Sequence, residues 1–239
     1  MLIPTLILSV IFSSLAFIVT KNNARYILSG YNTMSDAQRA LVDLDGYLKF
    51  HKQFHLFLGI SVFVCVMFFE GINKNLAGIF LGIYPLLAYV YFLVKTRKYF
   101  SDVKNQKVGG LVGVLILILT IGGVGYLFLN GLKNSEIQFN ENNLEITGMY
   151  GEKINREGIL GITLVPELPE ISIRSNGFAA GDFRKGYFRT KDGKTIKLIV
   201  NDKQKPFLKL DTQEGEIYFS STSQPSGDLL GKIKKWKGL

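Results

Sequence analysis

The chain of 239 residues carries 28 Lys and Arg against 19 Asp and Glu, a formal charge of +9, with 47% hydrophobic residues, two histidines and one cysteine. A single cysteine, Cys65, excludes an internal disulfide framework. Both histidines lie in the first half, which excludes a Ser/His/Asp catalytic set in the second. The hydrophobic residues are crowded into the first 130 positions, so the chain divides into an apolar part, 1–130, and a mixed part, 134–239.

The apolar part holds four runs, Leu2–Thr20, Phe54–Ile72, Leu76–Val94 and Val108–Asn130, each of the roughly 20 residues that a membrane-crossing helix needs. Four spans and a helical transmembrane bundle are expected. The first run has no basic residue ahead of it and no small-residue cleavage site near its end, so it reads as an uncleaved span rather than a signal peptide. After it comes the turn-rich stretch Gly30-Tyr31-Asn32-Thr33-Met34. Ser35 with Gln38 then forms a capping-box pattern, and Ala37, Ala40, Leu41, Leu44, Tyr47 and Leu48 recur at helical spacing. An amphipathic interfacial helix over 36–50 is expected, as a connector between spans or as a segment that recruits a partner.

His51 and His55, four apart, share one helical face, the spacing of paired metal ligands. No third Cys, His or carboxylate completes a set, so no metal site is expected. The Gly71–Asn75 connection is so short that the second and third spans must form a tight hairpin. Lys21–Gln53 and Lys95–Lys107 hold five Lys and Arg each, whereas the loop between them holds only Lys74. The excess of positive charge on cytoplasmic loops places both basic loops inside the cell, and with four spans the C-terminal part outside.

The turn Gly30-Tyr31-Asn32-Thr33-Met34 and the acidic and basic helix after it resemble the signature of a small bacterial membrane domain of unknown function over roughly residues 1–95. The resemblance implies architecture and carries no activity.

From Gly131 onward the pattern changes to short alternating segments. Glu136–Phe139 and Leu144–Met149 flank the turn Asn140–Asn143, and Ile159–Val165 and Ile171–Arg174 are separated by Pro166 and Pro169. Tyr187–Thr190 and Lys194–Val200 are joined through Asp192-Gly193, a strong hairpin signal. Pro206–Leu210 and Glu216–Ser220 follow. The chain ends on an amphipathic helix, Asp228–Trp236, with Leu229, Leu230, Ile233 and Trp236 on one face. An all-β barrel closed by a C-terminal helix is expected. With Leu144–Gly151, Leu168-Pro169, the Asn176-Gly177 turn and Phe207–Thr212, this layout resembles a bacterial pleckstrin-homology domain over 134–239.

The polar, acidic first hairpin lacks the basic cluster with which pleckstrin-homology domains hold inositol phosphates. Basic residues gather instead around 174–189, where Arg174, Asn176, Gly177, Arg184, Lys185 and Arg189 are candidates for surface or partner binding. A second group, Lys232, Lys234, Lys235 and Lys237 around Trp236, is the candidate headgroup contact. The sequence contains no P-loop, no paired carboxylates placed for catalysis and no nucleic-acid-binding module. The expected protein is a non-enzymatic, cofactor-free, multi-pass protein of the bacterial cell membrane whose C-terminal domain is a binding or assembly module. Its partners are the bilayer and another membrane protein or a second copy, with no nucleic acid. The alternative is a sensor or regulatory subunit that signals through the 35–50 helix.

Overall fold

The computed structural model describes residues 2–100 and 106–238; Lys104, one of the cations counted in the second basic loop, lies outside them. The chain forms two compact units, Met1–Tyr126 and Leu127–Leu239.

The first unit is helical: α1 (Leu2–Ile18), the short α2 (Ala24–Ile27) and α3 (Asp36–Arg39), then α4 (Leu44–Ile72), α5 (Lys74–Thr96) and α6 (Gln106–Gly131). Three stretches, Leu44–Ile72, Lys74–Phe100 and Gly110–Gly131, are long and apolar enough to cross a membrane. α1 is shorter: its 17 residues extend about 25 Å at 1.5 Å per residue, less than the roughly 30 Å of a hydrocarbon core. It packs along α4 through small residues. The Ser9 hydroxyl donates to the Gly59 carbonyl at 2.7 Å, and a Cβ on Gly59 would stand 2.1 Å from the Ser13 hydroxyl oxygen. Close approach of this kind is how helices associate where the surroundings are as apolar as the side chains.

The hairpin between α4 and α5 is tighter than its sequence suggests. Asn73 alone connects them: its N–H donates to the Phe69 carbonyl to close α4. Its side-chain oxygen accepts from the N–H groups of Asn75 and Leu76 to open α5. One residue thus satisfies orphan groups at two helix ends. Ser61 and Tyr84 hydrogen-bond across the pair at 2.7 Å.

The expected helix over 36–50 is broken. α3 ends at Arg39, and Asp43 caps a new helix by accepting from the Gly46 N–H at 2.9 Å. Tyr47 and Leu48 therefore belong to the first turns of the long α4 rather than to an independent interfacial helix. The capping box of Ser35 and Gln38 forms as expected, but it starts a helix of only four residues.

The second unit holds the last turn of α6, nine strands and α7 (Ser226–Lys237). β1 (Ile137–Phe139), β2 (Asn143–Ile146) and β3 (Glu152–Asn155) make a three-stranded antiparallel sheet. β4 (Ile159–Val165), β5 (Ile171–Ala180), β6 (Phe183–Thr190), β7 (Thr195–Asn201), β8 (Phe207–Thr212) and β9 (Gly215–Phe219) make a second sheet in the order β4-β8-β9-β7-β6-β5. The expected barrel is not closed among the described residues; the strands form two separate sheets. β7 and β9 run parallel, pairing Lys197 with Ile217 and Ile199 with Phe219.

β7 is central and buried on both faces from Ile196 to Asn201. Its apolar run Ile196, Leu198, Ile199 and Val200 thus reads as a doubly covered strand rather than an alternating one. On one face Ile199 joins Leu144, Ile146, Leu208, Phe219, Leu229 and Ile233, so that the small sheet, the large sheet and α7 share one core. On the other, Phe188, Ile196, Leu198, Val200, Phe207 and Tyr218 form a second cluster. Beside β1, the Gln224 side chain accepts from the Ile137 N–H at 2.7 Å and donates to its carbonyl at 3.1 Å, satisfying backbone groups that would otherwise face no strand.

β5 runs on past the expected Ile171–Arg174 strand through 175–180, a stretch that reads as a turn in the sequence. Two glycines make this possible. A Cβ on Gly177 would lie 2.4 Å from the Lys185 carbonyl oxygen, and Gly186, at φ +120°, would meet the Asn176 oxygen at the same distance. The two backbones cross where no side chain fits.

Candidate functional site

In the helical unit the signature turn is held from within. Tyr31 and Met34 are buried in the core, and Gly30 takes φ +83°, a backbone conformation suited to glycine. Arg39 reaches back over the turn. Its Nε donates to the Tyr31 carbonyl at 3.2 Å, one terminal nitrogen donates to the Asn32 carbonyl at 3.2 Å and the other to Asp36 at 2.7 Å. The guanidinium also lies 5.8 Å from the centre of the Tyr31 ring. Thr33 donates to the Gly30 carbonyl. Gly30, Tyr31, Asn32, Thr33 and Met34 are thus a turn clamped from within.

His51 and His55 are buried in α4 among Tyr47, Phe54, Tyr89 and Phe92, with their ring centroids 4.1 Å apart. The His51 carbonyl can only accept, so His55 Nδ1 donates to it at 2.8 Å, and His55 Nε2 hydrogen-bonds the Tyr89 hydroxyl at 3.2 Å. His51 Nδ1 is buried without a hydrogen-bond partner. Among the described residues no group of three His, Cys, Asp or Glu is placed to hold a metal ion.

In the β unit the candidates of 174–189 separate into three kinds. Arg174 and Arg189 are exposed on β5 and β6, each one register step from the other, with Arg174 opposite Phe188 and Ile173 opposite Arg189. Among the described residues neither pairs with a carboxylate. Arg184 is engaged: its Nε and a terminal nitrogen both donate to Asp202, at 2.9 and 2.5 Å. Asn176 accepts from the Tyr150 hydroxyl at 2.7 Å, and Gly177 serves the backbone crossing.

Lys185 does not belong to a surface. It is 1% exposed, its ammonium donates to the Lys133 carbonyl just beyond α6, and burial pushes its pKa down from 10.5 to about 8. Beside it Phe178 packs edge-on against Phe128 and covers Gly131 so closely that a Cβ there would stand 2.5 Å from the ring.

The α7 candidates also divide. Trp236 is anchored by its indole N–H donating to the Asn140 carbonyl at 2.7 Å, by Phe139 at 5.9 Å between ring centroids and by Arg156 above its face. It belongs to the core and is not free for headgroups. Lys232, Lys234 and Lys235 are exposed, and Lys237 is half-buried.

A cavity of about 130 Å³ opens beside the β7–β9 pair, lined among others by Glu152, Tyr187, Lys197, Gly215 and Glu216. Two of its carboxylates are paired, Glu152 with Lys197 and Glu216 with Lys209, while Glu214 at its rim is in no ion pair among the described residues. Two carboxylates, Asp211 and Glu216, hold the Lys209 pKa well above its ordinary value, and burial followed by the bond to Glu216 raises the Tyr218 hydroxyl to about 12. The space is smaller than the roughly 300–1,000 Å³ of ordinary ligand pockets.

Tyr150, Arg156 and Gln224 escaped the sequence reading, because each acts across 26, 80 or 87 positions of chain. The one local signal was Tyr150-Gly151 at a turn, where Tyr150 takes φ +61°.

The profile of a domain of unknown function, DUF3784, matches residues 6–100, the region of the signature turn and the first helices. No curated protein and no solved structure matches the chain.

Proposed function

We propose that this is a multi-pass protein of the bacterial cell membrane whose β domain is a non-enzymatic binding or assembly module at the membrane surface. α1 completes a four-span bundle by lying along α4 with Leu2, Ile3, Leu6, Ile7, Val10 and Phe17 turned outward. The basic loops then face the cytoplasm and the β domain faces outward. Two sheets packed under a C-terminal helix are the part of the pleckstrin-homology resemblance that supports a module of this kind.

The observation that carries the reading is the contrast between paired and unpaired cations in the β domain. Lys153, Arg184, Lys191, Lys197, Lys203, Lys205 and Lys209 all pair with carboxylates. Exposed Arg174 and Arg189 do not, nor among the described residues do Lys133, Arg156, Lys194 and the α7 lysines; of these, the two arginines lie side by side on β5 and β6, and arginine is the cation best suited to partner carboxylates and phosphates. The partner in this reading is another membrane protein or a second copy that presents acidic groups to β5 and β6. Native membranes dissolved in mild detergent test it: the chain should migrate in an assembly larger than one chain, and R174E/R189E should dissociate it. A wild-type chain that migrates alone would count against the reading.

A further inference from the structure

We propose that the outer face of α7, built from Lys232, Lys234 and Lys235 with Lys237 and Arg156 at its C-terminal end, docks on an anionic lipid surface. This deepens the reading of the β domain as a surface module and rests on it.

Three observations carry the assignment. The first is placement. Leu229 and Ile233 are buried in the core, Trp236 is bonded to Asn140, and Gly238 closes the helix in the left-handed conformation at φ +81°. The lysines therefore stand on a fixed helix, not on a frayed tail. Arg156 joins them through its position 5.4 Å above the Trp236 ring.

The second is their lack of partners. Among the described residues none of the four α7 lysines pairs with a carboxylate, although Lys153, Lys191 and Lys203, also exposed, do. Cations in the last turn complement the negative end of a helix, which explains Lys234, Lys235 and Lys237. Lys232 lies a turn earlier, outside the reach of that effect.

The third is supply. Among the described residues three helices are long and apolar enough to cross a membrane, so a bilayer is present at high effective concentration whatever else the domain meets. Each lysine brought to an anionic surface favours contact about fivefold, so three together give roughly a hundredfold. A tethered domain needs no more than this to stay docked. A soluble acidic protein would have to be captured from dilution by the same few charges.

The test uses the full-length protein reconstituted in vesicles of phosphatidylcholine alone or with one-third phosphatidylglycerol, pulsed with an amine-acetylating reagent and read residue by residue by mass spectrometry. Lys232, Lys234 and Lys235 should label at least tenfold more slowly in the phosphatidylglycerol vesicles, with protection lost in high salt. Lys205, exposed but paired with Glu167, should label alike in both. Equal α7 labelling in the two compositions would overturn the proposal, as would protection in phosphatidylcholine. Equal protection by soluble glycerol phosphate added to phosphatidylcholine vesicles would assign the site to a free anion and overturn the bilayer assignment. The R174E/R189E assembly experiment reads a different face, so failure here leaves the assembly reading standing or falling by itself.

Discussion

Lys185 gives the β domain a pH dependence that can be worked out from its burial. Its folded-state pKa of about 8 lies below the ordinary lysine value of 10.5, because the buried ammonium has lost its water. Below pH 8 the lysine is protonated in both folded and unfolded chains, and the folded state carries the whole cost of desolvation. Between pH 8 and 10.5 the unfolded chain binds the extra proton, so stability rises with pH. At 1.36 kcal/mol per unit, the rise from pH 7 to pH 10 is on the order of 2–3 kcal/mol. The raised pKa values of Lys209 and Tyr218 act in the opposite direction, but only above pH 10. Denaturant unfolding of the full-length protein in detergent, followed by the fluorescence of its single tryptophan, Trp236, measures this. The wild-type midpoint should climb from pH 7 to pH 10, and Lys185→Met should flatten the climb. Equal pH slopes in the two proteins would refute the assignment of the titration to Lys185.

Gly131→Ala places a Cβ 2.5 Å from the Phe178 ring and should destabilise the β unit by about 1–3 kcal/mol; in the Phe178→Ala background the same change should cost much less, as a double-mutant cycle by denaturant midpoint will show. Arg39→Ala removes two carbonyl contacts of the signature turn and should expose 30–40 to limited proteolysis severalfold faster, with Arg39→Lys failing to restore protection because an ammonium lacks the planar fork. Asn73→Ala strips the cap that opens α5 and should lower stability by about 1 kcal/mol, read as a lower melting temperature in detergent. Paired C-terminal reporters, one active only inside and one only outside the cell, should give an outside signal; an inside signal would remove α1 as a span.

Elements governed by local chemistry were legible in the sequence, and those governed by distant contacts were not. The β1–β2 hairpin around Asn140–Asn143 and the Asp192-Gly193 hairpin formed where their turn residues stand. β4 was also legible, since Ile159–Val165 is a plain apolar run. β3 escaped because Glu152–Asn155 has one inward apolar residue, Ile154, and its other positions read as loop. Residues 175–181 look like a turn because they contain Asn and Gly, yet Gly177 is there to let β6 approach. Lys185 shares its strand parity with exposed Tyr187 and Arg189, so no pattern in β6 marks it as buried. Its ammonium finds its acceptor in the Lys133 carbonyl, 52 positions away. The helix over 36–50 failed for a different reason: periodicity continued through Asp43, and the capping preference of that aspartate outweighed it.

The claim that the β domain grips a partner through β5 and β6 is tested most directly by placing a photo-crosslinking residue at Arg174 or Arg189 in living cells. The same residue at exposed Leu160, on β4 at the other edge of the sheet, serves as control. Discrete crosslinked species from positions 174 and 189, and none from 160, are predicted. Identical background at all three positions would contradict the account.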